Sequence, residues 1–458
     1  IEYTYGGDYN KYDPSDNNFN CNGIIGPDRQ LNPHAYELAY QYQNIWTTMK
    51  DARKGIVEVK NEYFFRNLSN YALAWSLLED GVETQNGTIA DIDVAPQQSK
   101  AFTIPYDLKK VKGKEVLLNI EYRLKQKEPL MEHGQIVAYS QLPVMMNTET
   151  ATAEAPAKGK KVKIKVDDKE ETAAISITTP DMQLCIDRTT GLISTYRIAG
   201  KDILGNGGTL KPNFWRAATD NDMGAGLQKK YKAWKEPEMR LANINVRQLK
   251  KENAVEITSN YNLIGVNAGL VITYLVDGRT GAIEVTESLS VSDSSKVSDM
   301  FRFGMLMQLP YNMSQSVYYG RGPIENYSDR NECMPLGIYS QDAKEQYFPY
   351  IRPQESGTKS DIRWWNQFAS YDFGIRIISD KPFYASAIHF DTDELDDGDE
   401  KDQRHSSELK ESGFTNLFLD AEHIGVGGTN SWGAKPLDKY LVKYGDKQFK
   451  FTIIPIWK

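Results

Sequence analysis

Cysteine, histidine and long apolar runs are all scarce in this sequence, and each scarcity excludes something. The three cysteines, Cys21, Cys185 and Cys333, lie far apart, with neither metal-ligand spacing nor the even count of a disulfide framework. They fit cytoplasm and periplasm equally, so the compartment stays unknown. The five histidines include no pair at i, i+4 and no triad spacing, and no Gly-x-Ser-x-Gly motif occurs. No apolar run approaches the ~20 residues of a membrane-spanning helix. Basic residues are outnumbered, 54 Lys and Arg against 62 Asp and Glu, for a net charge of −8. Without a basic stripe, nucleic acid and anionic membrane are disfavoured partners.

What is present is length, aromatic content and β pattern. A chain of 458 residues has room for about two to four domains. Tyr (27) outnumbers Phe (16), and side chains with an apolar face and a polar tip suit sandwich cores and sugar-binding surfaces alike. Ile1-Glu-Tyr-Thr-Tyr5 reads as a strand already in progress, without initiator Met or signal peptide, so residue 1 is not expected to start a domain. A loop dense in Asn and Asp follows, from Asp13 to Gly23. Asn32-Pro33 then reads as an N-cap with proline at the first helical position. Ala35, Leu38, Ala39, Tyr42, Ile45 and Trp46 form the apolar stripe of that helix.

From Gly55 the period changes to two. Val57, Val59 and Tyr63 alternate with polar residues, as do Val116, Leu118, Ile120 and Tyr122. Asn86-Gly87 and Glu79-Asp80-Gly81 read as turns, and five or more strands within 50–146 predict a compact β-sandwich. Residues 147–161 contain only small, charged and polar residues and read as a linker. Beyond them, hairpin signals at Arg188-Thr-Thr-Gly191 and Asp277-Gly-Arg-Thr-Gly281 punctuate nearly 300 residues of β pattern with one helical candidate, Leu227 to Trp234. A large sandwich of two curved sheets is expected there.

Three stretches invite chemistry. Gly425-Val-Gly-Gly-Thr-Asn-Ser-Trp432 has the glycines of a phosphate loop, but Pro436 follows too soon for the helix such a loop needs. Two readings stay open: a turn whose tryptophan packs on a neighbouring domain, or an aromatic platform for a sugar ring. The acidic run Asp391 to Asp402 fails the calcium-loop register, because Leu395 and Asp396 occupy the fifth and sixth places, and it reads as a solvated loop. The carbonyls and amides between Asp16 and Gly23 would suit a hard cation or a sugar hydroxyl.

Taken in order, several motifs resemble the C-terminal half of glycoside hydrolase family 2 β-galactosidases, the large bacterial lactase type. They are Tyr5-Gly-Gly-Asp8, Asn18-Phe-Asn-Cys-Asn-Gly23, Asp28-Arg29 with Pro33-His34, and Asp93-Val-Ala-Pro-Gln97. Arg216-Ala-Ala-Thr-Asp-Asn-Asp222, Tyr319 to Tyr327 with Asp329-Arg330, Pro353-Gln-Glu355 and the 425–432 stretch complete the series.

The resemblance implies a mainly β chain in four parts. Residues 1–46 would be the last strand, loop and helix of a catalytic (β/α)8 barrel, and 47–146 an immunoglobulin-like β-sandwich. Residues 147–164 would be a linker, and 165–458 a large galactose-mutarotase-like β-sandwich. It implies a retaining glycosidase, whose two carboxylates stand about 5 Å apart. In the family both are glutamates ahead of residue 1, as are the magnesium (Mg2+) ligands, so no catalytic residue is assigned here. Asp8, Asp16, Glu325 and Glu355 read as structural.

Carried over residue by residue are Phe19 (backbone carbonyl) and Asn22 (side chain) as sodium (Na+) ligands, Asn22 also as a sugar contact, and Trp432 as the surface on which the aglycone stacks. Residues 220–227 match a mobile loop beside the active site. Ser15 stands where the family has an asparagine near a second magnesium. Expected partners are a β-galactoside substrate and upstream domains of the same polypeptide, with a homo-oligomer left open. Two other readings compete: a non-catalytic carbohydrate-binding module, and a mutarotase-like enzyme, which needs a histidine and a carboxylate converging on one cleft.

Overall fold

A computed structural model describes residues 3–10, 12, 19–146, 161–291, 297–430 and 433–457, and the chain divides into two compact units. The smaller comprises 33–149 and 332–338, the larger 1–32, 150–331 and 339–458. Most of the expected linker, 147–160, lies outside the described residues.

In the smaller unit a nine-residue helix, α1 (Pro33–Gln41), leads into seven strands. These are β1 (Ile45–Asp51), β2 (Ile56–Asn61), β3 (Tyr71–Glu79), β4 (Val82–Ile89), β5 (Ser99–Thr103), β6 (Val116–Leu124) and β7 (Ile136–Met145). Ile45 and Trp46, expected in the helix, instead open β1, where Ile45 pairs with Asn61; a β-branched residue with a ladder partner favours the strand. Two antiparallel sheets result, β1-β2-β5 and β4-β3-β6-β7. Alternate residues, among them Val57, Val59, Leu73, Leu77, Leu118, Ile120 and Tyr122, fill the space between them. Each such side chain stabilises by roughly 1.5–3 kcal/mol on leaving water.

The Glu79-Asp80-Gly81 turn joins β3 to β4, with Asp80 and Gly81 at φ 47° and 86°. Asn86-Gly87 is not a turn. It lies inside β4, and Gly87 pairs with Trp75 across the ladder. A β-carbon there would come within 2.9 Å of the indole, so the glycine makes room for a ring.

The larger unit is one antiparallel sheet curled on itself, so the two faces expected of a sandwich share continuous hydrogen bonding. Phe373–Ile388, sixteen residues long, makes this possible. Its first half pairs with Lys447–Trp457 and its second with Phe414–His423, while Lys359–Ser370 runs along the other side. Tyr274, Val285, Met305, Ile375, Leu419 and Ile453 are fully enclosed. The two predicted hairpins form by one device. Asp187 Oδ1 accepts from the N–H groups of Thr189 and Thr190, and Asp277 Oδ1 from those of Arg279 and Thr280, with Gly191 and Gly281 left-handed at φ 69° and 73°. The helical candidate appears as Leu227–Lys230 and a 3-10 turn, Lys232–Trp234.

Tyr3–Tyr5 carry no strand assignment, so the end of a barrel is not shown. A strand and helix alone have no sheet on which to bury their faces.

Candidate functional site

The expected cation ligands sit on the first loop of the larger unit. Phe19 is 56% exposed, and its carbonyl accepts the Gly6 N–H at 3.0 Å. Asn22 is exposed, two residues after Asn20 at φ 79°. The loop is held from below. Tyr5 donates its hydroxyl to the Arg404 carbonyl (2.6 Å) and accepts the Arg404 N–H (3.1 Å). Asp8 meets His405 Nε2 and Gln403 Nε2, each at 2.8 Å. Burial pushes the Asp8 carboxyl up, but the Tyr5 N–H, His405 and Gln403 together hold it below its ordinary value. Asp8 is thus structural, while Ser15 and Asp16 lie outside the described residues.

The glycine-rich stretch rests on a buried platform. Arg216, with no exposed surface, makes a two-bond fork to Asp222 (2.8 and 3.0 Å). Its remaining donors reach the carbonyls of Ile424 (3.1 Å) and Gly425 (2.9 Å). Asp329 accepts the N–H groups of Val426 and Gly427, each at 3.0 Å, and Asn221 donates its amide to the Val426 carbonyl. A β-carbon on Gly433 would sit 2.5 Å from the Gly224 carbonyl, so both ends of the stretch lie against one helical turn, α2 (Asp220–Ala225). That turn corresponds to the expected 220–227 loop and is fixed by a capping box between Thr219 and Asp222. Trp432 lies outside the described residues.

Other buried charges of the larger unit neutralise one another. Arg302 pairs with Asp420 (2.6 Å), and both are enclosed. Glu355 accepts the Thr358 hydroxyl (2.8 Å) and faces Arg302 (3.7 Å) and His423 (3.6 Å). Burial raises the Glu355 carboxyl, but Arg302, His423 and Arg216 overcome it and bring it down to about 2. Glu325 binds Arg330 (2.6 Å), the Tyr350 hydroxyl and the Gly357 N–H (2.8 Å). Both carboxylates are buried and bonded to protein partners, which fits the structural role expected of them.

The run from Asp391 to Asp402 is not simply solvated. Asp396 bonds the Trp215 indole N–H (2.9 Å) and Lys235 (2.8 Å), and Asp397 pairs with Arg352. Both carboxylates are enclosed. Removing one partner from such a pair leaves an unpaired buried charge, at a cost of roughly 3–5 kcal/mol.

The histidine and carboxylate that mutarotase chemistry needs do meet, as His423 and Glu355. The His423 side chain has no exposed surface, however, so no sugar reaches it. Sequence reading missed Asp329 and Asn221 as supports of the glycine-rich stretch, and the Arg302–Asp420 pair. The pair left a signal: a single charge in each of two apolar runs, Phe301 to Leu309 and Leu417 to Ala421. The Asp329-Arg330 motif did not reveal what Asp329 holds, because it acts across 97 residues of chain.

Residues 178–453 match the family described as beta galactosidase small chain, and residues 57–145 match beta-galactosidase, domain 4. A beta-galactosidase of Priestia megaterium is 29% identical over 456 residues, covering 99% of this chain and 42% of that protein. One from Lactobacillus delbrueckii subsp. bulgaricus is 29% identical over 458 residues, with the same coverage. The chain therefore spans about two-fifths of the length of these relatives. A galactose mutarotase-like protein from Lactobacillus casei aligns over 62% of this chain and 99% of its own, at 11% identity and a TM-score of 0.34. With its family match running through most of the curled sheet, this chain belongs to the β-galactosidase small-chain family.

Proposed function

We propose that this chain is the C-terminal portion of a retaining β-galactosidase that hydrolyses terminal β-D-galactosides, and that it supplies the aglycone-side wall of the active site. The observation carrying the reading is what the first loop leaves exposed. Tyr9, Tyr12, Phe19, Ile24, Ile25 and Leu31, all in the larger unit, are each more than 40% exposed. So dense a set of exposed apolar side chains marks a surface that another domain covers. The chain's share of its relatives' length supports the same view.

On this reading Trp432 stacks against the aglycone. The Gly425–Gly427 backbone, fixed by Arg216, Asn221 and Asp329, sets where the stretch leaves the platform. Phe19 and Asn22 contribute to a sodium site, and Asn22 also faces the sugar. Their donors suit the ion: the Phe19 carbonyl keeps a lone pair beside its bond to Gly6, and the Asn22 amide oxygen is hard and exposed. Two ligands make only part of a shell. Magnesium and the two catalytic glutamates belong to residues outside this chain, so the chain alone turns over no β-galactoside.

The test has two arms. Trp432→Ala in the longer enzyme raises KM and shifts the split between hydrolysis and sugar transfer; unchanged values remove the platform assignment. Purified 1–458 shows no turnover of a chromogenic β-galactoside above contaminant controls, and genuine turnover would overthrow the reading.

A further inference from the structure

The smaller unit carries a hollow of about 290 Å³ on the open face of its four-stranded sheet. Strand register explains its shape. On β3 the outward positions are small, Ala74 and Ser76, and they form a floor. The directly paired outward residues are longer and polar. On β4 these are Asn86 and Thr88, opposite Ser76 and Ala74. On β6 they are Asn119 and Glu121, opposite the same two. Two walls thus flank the central strand, two strand spacings or roughly 10 Å apart. That width takes one pyranose ring lying flat.

The walls offer complementary hydrogen bonds. Asn86 spends its amide N–H on Glu83 (2.7 Å), which leaves its carbonyl oxygen to accept. Asn119 spends its carbonyl oxygen on Gln141 (2.9 Å), which leaves its N–H groups to donate. Arg123 directs Nε and Nη2 to a single Glu121 oxygen (2.9 and 2.5 Å), so one carboxylate oxygen and Nη1 remain for a ligand. Acceptors on one side and donors on the other match hydroxyl groups, which do both. The Ala74 methyl gives the sugar C–H face an apolar contact.

Other ligand classes fit less well. From Leu73 to Glu79 β3 is paired on both sides, with β4 and with β6, so a peptide strand cannot add to it here. Two glutamates against one arginine disfavour anions, and polar walls disfavour an apolar ligand.

We propose that this trough binds a neutral saccharide. It recognises vicinal hydroxyls through Asn86, Asn119 and the Glu121–Arg123 pair, with no chemistry attached. Affinity is weak, because the hollow is open and few groups converge on it. The inference concerns the smaller unit alone and stands whether or not the parent enzyme cleaves galactosides.

The experiment uses purified 1–458 with lactose as the probe, read by saturation-transfer NMR. Lactose is expected to bind in the millimolar range and glycerol to give no comparable signal. Asn119→Ala should weaken binding about fivefold or more. Ala74→Tyr should abolish it by filling the floor from the solvent side. No transfer at the solubility limit of lactose, or equal transfer to glycerol, would overturn the assignment. Binding unaltered in both Asn119→Ala and Ala74→Tyr would do the same. Should Ala74→Tyr fail to fold, Asn86→Ala with Asn119→Ala decides the question.

Discussion

A β-carbon on Gly425 would lie 2.3 Å from Asp329 Oδ2, inside the distance any real carbon tolerates. The absent side chain is what lets Asp329 reach the next two backbone N–H groups. Gly425→Ala must therefore push the carboxylate away or shift the chain, at about 1–3 kcal/mol. Asp329→Ala should produce the same outcome by removing the acceptor, whereas Asp329→Asn keeps one acceptor oxygen and should fall between. Limited proteolysis across 425–434 and thermal unfolding would read this. Unchanged cleavage in both Gly425→Ala and Asp329→Ala would show that the clamp holds nothing.

Arg302 and Asp420 present a buried pair whose halves are unequal to their sum. Removing one partner strands a charge in the core, so Asp420→Ala should cost about 3–5 kcal/mol. Replacing both, as Arg302→Met with Asp420→Leu, should cost less than Asp420→Ala by itself. Urea denaturation of the wild type and the two variants tests this, and a double variant that loses as much stability as Asp420→Ala would contradict it.

Two buried glutamates should tilt stability with pH in opposite directions. Glu287 is enclosed, and neither carboxyl oxygen has a hydrogen-bond partner among the described residues. Burial, with a smaller push from Asp420, raises its carboxyl well above the ordinary range. The folded chain thus holds a proton the unfolded chain releases near pH 4.3, so this contribution is full below that value and lost as pH rises. Glu287→Gln should abolish the fall. Glu355, held down to about 2, behaves oppositely. Its contribution, on the order of 3 kcal/mol, is present above pH 4.3 and lost as pH drops toward 2. Stability curves of Glu287→Gln and Glu355→Gln against pH would separate them. Matching slopes in mutant and wild type would refute either assignment.

Much of the architecture was legible because period and turn chemistry are local. Alternation at Val116, Leu118, Ile120 and Tyr122 located β6, and the Asp-x-x-Thr-Gly stretches located both hairpins. Errors came where a distant partner overruled the local signal. Asn86-Gly87 has turn chemistry, but Trp75, twelve positions before the glycine, needed the space above it in mid-strand. Asp396 and Asp397 look like solvated residues of an acidic loop until Lys235, Trp215 and Arg352 are brought against them. Of the candidate site, Phe19 and Asn22 appear on the expected loop, while the support of the glycine-rich stretch could not be read at all.

By itself the sequence determined most strand positions, both hairpins of the larger unit, the overall composition, and the order of motifs pointing to a β-galactosidase. These depend on neighbours a few residues apart, or on composition, and folding does not alter them. Only the tertiary structure decided which charges are free. Glu325, Glu355, Asp396, Asp397 and Asp420 are equivalent carboxylates on paper, and each is spent on a partner supplied by remote chain. A buried charge is stable only where such a partner meets it, and that meeting is a property of the closed sheet.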